Sequence, residues 1–201
     1  MNAARRALVA AAALAATLWA TEGHAAAPGA TPPLKAGVFE PPRLAPPVLL
    51  EGSDGRAFDL SRHRGKVVLL SFGFSSCPAV CPTTLATLAQ ARKALGADAK
   101  DVQVVFVTVD PERDTVQRLK DYMAAFDPGF IGATGRPEAL ARVRASFGAT
   151  ATKVTSGAAY GFDHTSSVYL IDRAGRLVGM MPYDHPAKDY VHDLRLLLAA
   201  R

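Results

Sequence analysis

Only two of the 201 residues are cysteine, one is tryptophan, and aromatic residues amount to 7%. Two cysteines cannot build a four-cysteine zinc site or the multiple cross-links of a small disulfide-stapled scaffold. No stretch is dense enough in Lys and Arg to follow a phosphate backbone, and few aromatics are present to stack on bases. Both shortages argue against a nucleic-acid partner. The apolar run at residues 7–20 has 14 residues, fewer than the roughly 20 that span a bilayer. Gly132 and Gly135 are too few and badly placed for a dinucleotide loop. What is plentiful is apolar surface: 49% of residues are hydrophobic against 20% charged, enough for a real core. The length suits one domain with a leader. The formal net charge of +5 is mild. It fits a solvated surface, or docking on an acidic partner or an anionic lipid.

The N-terminus reads as an export signal. Arg5 and Arg6 precede the short apolar run, and Gly23-His24-Ala25 offers small residues for cleavage. Residues 1–25 are therefore expected to be a signal peptide, or an anchor if uncleaved, which places the functional domain in the periplasm or outside the cytoplasm. Residues 26–47 carry Pro28, Pro32, Pro33, Pro41, Pro42, Pro46 and Pro47, and read as a disordered tether. A tether of this kind suits a domain that works near a membrane, and equally a plain leader.

The folded body is expected over residues 48–201. Residues 48–50 and 56–60 flank a Gly-rich turn and suggest a hairpin. Residues 67–72 and 102–109 are short apolar runs, consistent with buried strands. Residues 83–95, 115–126, 136–147 and 187–200 place apolar side chains at helical spacing. Residues 167–171 and 177–181 flank Asp172-Arg173-Ala174-Gly175, a second hairpin turn. The order is α/β: a central β-α-β with a parallel strand pair, an antiparallel hairpin near the end and another in front. This resembles a thioredoxin-like sandwich with a mixed central sheet and an N-terminal hairpin extension. Such a fold does not by itself give a function.

Cys77 and Cys81 lie in Cys77-Pro78-Ala79-Val80-Cys81-Pro82, where the first buried strand gives way to a helix. If that turn is helical, a spacing of four puts both sulfurs on one face, close enough to bond to each other or to grip one metal ion. The helix N-terminus favours thiolate, which is both the nucleophile and the metal ligand. As a structural staple the pair would achieve little, because closing so short a loop removes little chain entropy. Among the histidines, His24 falls in the leader. His63, His185 and His192 read as surface or helix-start residues. His164 precedes an apolar strand, in a loop that should face the cysteines across the end of the sheet. A lone histidine there is often a satisfied structural residue, but it could complete a site of two thiolates and one imidazole. Such a set suits Cu(I), whereas zinc would want a fourth ligand or a water. Met180 and Met181 read as core and surface filling.

Three motifs in order, Cys77-Pro78-Ala79-Val80-Cys81-Pro82, Val109-Asp110-Pro111-Glu112-Arg113-Asp114-Thr115 and Asp163-His164-Thr165, resemble the Sco/SenC family of copper-binding, thioredoxin-like assembly factors for cytochrome c oxidase. The resemblance runs from about Leu44 to the C-terminus. It implies that Cys77, Cys81 and His164 ligate copper, with Cu(I) favoured and Cu(II) open. It further implies that the domain helps mature the CuA centre of oxidase subunit II, drawing on a periplasmic copper donor or thiol reductant. Asp110 resembles the family's acidic residue near the metal, although Asp-Pro is also a common turn opening and Asp114 or Thr115 could simply cap the next helix. Asp163 adjoins His164, but neighbours on an extended segment point opposite ways.

Two other functions compete. An exported thiol–disulfide oxidoreductase would use Cys77 and Cys81 as its redox pair, and this remains open as a second role for a chain that is mainly a metal carrier. The spacing is nevertheless Cys-x-x-x-Cys rather than Cys-x-x-Cys. The place where such enzymes resemble one another in a cis-proline is held by Asp163-His164-Thr165. A peroxiredoxin-like peroxidase would need Pro-x-x-x-Thr-x-x-Cys, whereas Leu70-Ser71-Phe72-Gly73-Phe74-Ser75-Ser76-Cys77 lacks both the Pro and the Thr.

Overall fold

Two seven-residue strands, Val67–Gly73 and Val102–Thr108, are buried at every position. A strand covered on both faces has no polar side to alternate with, which is why both read as nearly continuous apolar runs. They sit at the centre of the computed structural model, which describes residues 33–157 and 159–200. The expected signal segment 1–25 and the linker residues 26–32 lie outside the described residues. In chain order the elements are β1 (Gly37–Leu44), β2 (Leu49–Gly52), β3 (Ala57–Asp59), β4 (Val67–Gly73), α1 (Val80–Ala94), β5 (Val102–Thr108), α2 (Val116–Ala124), β6 (Ile131–Thr134), α3 (Pro137–Ser146), β7 (Ala151–Ser156), β8 (Ala159–His164), β9 (Val168–Ile171), β10 (Arg176–Met181) and α4 (Ala187–Ala199).

Eight strands form one mixed sheet in the order β1-β10-β9-β4-β5-β6-β2-β3. β4, β5 and β6 run parallel, and every other pairing is antiparallel. The β2–β3 hairpin extends the β6 edge. Neighbours on a strand point to opposite faces, and β4 shows both helical layers. The Phe72 ring meets Phe147, just past the end of α3, edge-on with centroids 5.9 Å apart. On the other face, a Cβ placed on Gly73 would meet Cys81 of α1. The molecule is thus the α/β sandwich on a mixed sheet that the sequence implies. No helix among the described residues is long and apolar enough to cross a membrane.

Register brings three segments to one end of the sheet. Gly73 pairs with Thr108, so β4 and β5 finish level, and Val109 N donates to the Gly73 carbonyl at 2.8 Å. β9 runs the other way and pairs Val168 with Ser71, so the residues just before β9 arrive at that same end.

One expectation is overturned. The span 26–47 is not a tether throughout, because β1 occupies residues 37–44 and pairs with β10. The buried Asp193 carboxylate in α4 accepts the amides of Lys35 and Ala36 at 2.7 and 2.9 Å. Proline suggested disorder, but β1 is an edge strand. Its Pro41 and Pro42 fall between the paired residues Val38 and Arg43, where the register shifts. An edge strand tolerates proline where no ladder donor is required. The folded unit therefore begins near residue 35 rather than 48. β6 and the β7–β8 hairpin are further elements beyond the sequence reading. His164, expected in a loop, is the last residue of β8.

Candidate functional site

The site grows from the turn between β4 and α1. Cys77 N donates to the Phe74 carbonyl at 3.2 Å, closing a turn that delivers the chain into α1. Pro82 is tolerated in the first helical turn because its missing N–H would have no intrahelical partner there. The position before the helix is Ala79, which offers no capping side chain. The Cys77 sulfur substitutes, accepting from Cys81 N–H at 3.5 Å. The two thiols consequently differ. Burial works to raise the Cys77 pKa, but the amides of Cys81, Ala79 and Val80 and the Cys81 thiol outweigh it and hold the group below its ordinary value. Burial pushes the Cys81 thiol well up, and the neighbouring Cys77 and Asp114 charges add to that rise. Cys77 is half-buried and Cys81 is buried; both are free.

His164 comes to this turn from the β7–β8 hairpin. Its Nε2 lies 3.6 Å from Cys81 Sγ. Its Nδ1 lies 3.0 Å from the Thr165 carbonyl, which can only accept. The ring proton therefore belongs on Nδ1, and the Nε2 lone pair faces the thiols. Phe74 packs edge-on against the His164 ring at 5.8 Å. Among the described residues, no three of His, Cys, Asp and Glu already stand as a metal-holding cluster. Cys81 and His164 are in contact, while the Cys77 sulfur is turned to the helix amides. The donors at hand are two thiols and one imidazole nitrogen, a soft set.

The acidic candidates behave differently from the ligand candidates. Asp110 is buried, 1% exposed, and makes no hydrogen bond to Cys77, Cys81 or His164. Its carboxylate pairs with Arg113 and takes the Tyr160 hydroxyl at 3.1 Å. Asp163 is exposed and makes no side-chain hydrogen bond or ion pair among the described residues. Thr115 does cap α2, accepting from Arg118 N at 3.2 Å. Asp114 does not. Fully buried, it reaches back to the thiol turn, where it accepts from Ser75 N at 3.0 Å, from the Ser75 hydroxyl, and from Thr108 Oγ1 at 2.6 Å. Arg118 Nε completes the chain by donating to Ser75 Oγ at 2.8 Å. Nothing in the local sequence separates this role from that of a helix cap, since its partner Ser75 lies 39 residues away.

Gly73 explains how the sulfur fits beneath the sheet end. A Cβ there would stand 2.8 Å from Cys81 Sγ and 2.6 Å from Phe106 Cε2. Gly73→Ala is expected to cost about 2–3 kcal/mol by overpacking. It should also push Cys81 off its position, read as a lower melting temperature together with faster alkylation of Cys81.

A mixed sheet with helices on both faces, and a cysteine pair opening the helix after a central strand, defines a thioredoxin-like domain. Solved structures share it. The copper-bound ScoI of Bradyrhizobium japonicum is 36% identical with a TM-score of 0.72, covering 77% of this chain and 99% of that one. The apo Sco1 of Thermus thermophilus is 38% identical with a TM-score of 0.76, covering 85% and 100%. An SCO2-like protein of Rickettsia prowazekii is 36% identical over 150 residues, 73% of either chain. The SCO1/SenC family model matches residues 40–199, and the chain belongs to that family.

Proposed function

We propose that this protein is an extracytoplasmic copper metallochaperone that carries Cu(I) on Cys77, Cys81 and His164. We further propose that it delivers the ion to the CuA centre of cytochrome c oxidase subunit II. The observation that carries the reading is the meeting of Cys81 Sγ and His164 Nε2 at 3.6 Å, with Nδ1 already committed to a carbonyl. An imidazole held this way keeps one lone pair for a soft ion. The copper-bound relative and the three matching motifs support the same reading. Capture asks the Cys77 sulfur to leave the helix amides and join the other two donors. Hand-over then proceeds by exchanging these donors one at a time for thiolates and imidazoles of the client, and the half-buried Cys77 is the accessible first step. The copper itself comes from a periplasmic donor. The leader reading favours a periplasmic domain, free or held at the membrane.

A second activity, reduction of a client disulfide, is favoured by the asymmetry of the thiols. The Cys77 thiolate attacks one client sulfur, forming a mixed disulfide and releasing the other client thiolate. The buried Cys81 then attacks Cys77, closing a Cys77–Cys81 disulfide and freeing the second client thiol. The two electrons come from the cysteine pair, and an external dithiol reductant restores it.

The test is a titration of the reduced protein with Cu(I) against a chromogenic chelator, under anaerobic conditions. One tight equivalent is expected. His164→Ala should weaken it by about 10–100-fold while leaving both thiols reactive. An unchanged affinity would remove His164 from the site.

A further inference from the structure

β7 and β8 pair only with each other, so no ladder of the eight-stranded sheet holds the hairpin that carries His164. Its polar docking contacts fall on residues 110–113, in the loop after β5. Tyr160 Oη lies 3.1 Å from Asp110 Oδ1 and 3.1 Å from Glu112 Oε2, so its single proton is shared between two carboxylates. The Tyr160 carbonyl accepts from Arg113 Nη1 at 3.2 Å. Two cations, Arg113 and Lys153, each lie 3.8 Å from the centroid of its ring. Both cations are balanced: Arg113 pairs with Asp110, and Lys153 pairs with Glu112 at 2.9 Å. The phenol stays a donor under all ordinary conditions, because desolvation and the two carboxylates push its pKa up to about 12.

This latch points at the site. Residues two apart on a strand share a face, so Tyr160, Phe162 and His164 project together while Asp163 projects away. Phe162 meets Phe74 edge-on at 5.6 Å, and Phe74 in turn packs on the His164 ring. The same loop holds the thiol half, since Asp114 grips Ser75 two residues before Cys77. One short segment thus fixes both the cysteine turn and the strand that brings the imidazole.

We propose that Tyr160 is a positioning residue, holding His164 at its distance from Cys81 through the latch to Asp110 and Glu112. The affinity consequence rests on the copper reading above; the placement of the hairpin does not.

The experiment uses the full chain and four proteins: wild type, Tyr160→Phe, His164→Ala and the double variant. Tyr160→Phe keeps the ring and its cation contacts and removes only the hydroxyl. In the metal-free protein, amide hydrogen exchange is expected to quicken about tenfold over residues 159–165, including the Thr165 amide that bonds to the Thr150 carbonyl. Exchange in β4 and β5 should not change. In Cu(I) titration, Tyr160→Phe should lose about tenfold in affinity, but almost nothing more once His164 is already alanine. Unchanged hairpin exchange, or an equal loss in the His164→Ala background, would overturn the proposal. If His164→Ala itself leaves Cu(I) binding untouched, the copper reading of that residue fails, and the metal-free exchange still decides the latch.

Discussion

Cys81→Ser is expected to lower Cu(I) affinity by at least about a thousandfold, roughly 4 kcal/mol, while the domain stays folded. The physical reason is softness. A thiolate gives Cu(I) a polarisable sulfur, and a serine hydroxyl at the same place is a hard, neutral oxygen that stays protonated. The fold should tolerate the exchange because the volumes are close and the sulfur makes no cross-link. A buried hydroxyl without a full set of partners costs about 1–3 kcal/mol, which is visible in a melting curve but not fatal. Cys77→Ser should show nearly the same loss of copper and a smaller loss of stability, since a serine oxygen can take over the Cys81 amide that the Cys77 sulfur now accepts. The measurement is a chelator competition on the reduced proteins, paired with thermal unfolding. If either serine variant unfolds, the pair belongs to the scaffold. If either retains tight Cu(I), the two-thiolate carrier is wrong.

Asp114→Ala is expected to destabilise the protein by about 3–4 kcal/mol, a drop of about 10 °C in melting temperature. The carboxylate is fully buried and takes three donors, two from Ser75 and one from Thr108. Removing it leaves those donors without acceptors in a place water does not reach. It also loosens the turn that carries Cys77, so thiol alkylation should accelerate along with the loss of stability. Asp114→Asn should recover only part of the effect, because an amide offers one acceptor oxygen and two donors where only acceptors are wanted. Thermal unfolding and alkylation kinetics check both variants. A change below about 1 kcal/mol would mean that Ser75 and Thr108 find other partners.

How much of this was legible in the sequence follows from what each feature depends on. β4 and β5 were plain because strands buried on both faces leave an unbroken apolar run. The cysteine pair and His164 stood out because these residue types are scarce here and their chemistry is narrow. β1 was hidden by its prolines, whose usual meaning reverses at a sheet edge. β7 and β8 were hidden because a hairpin lying beside the sheet has no strong apolar alternation. Tyr160 could not be read at all, and Asp114 read only as a candidate helix cap. Tyr160 meets Asp110 from 50 residues away through a hairpin that lies outside the main sheet, and Asp114 meets Ser75 from 39 residues away because β4 and β5 finish level. Asp110 was singled out by its resemblance to the family's acidic residue near the metal; its carboxylate is engaged by Arg113 and Tyr160.

The clamp of Asp193 on Lys35 and Ala36 changes the arithmetic of reach. Had residues 26–47 all been free, a fully extended chain would have let the domain range about 75 Å from an N-terminal anchor. With the chain fastened at Lys35, the stretch 26–34 could span at most about 30 Å. On the proposed copper-carrying reading, a retained anchor would then confine delivery to a thin layer above the bilayer. Clients would have to present their acceptor site within that layer, whereas cleavage of the leader would free the carrier to work at any depth.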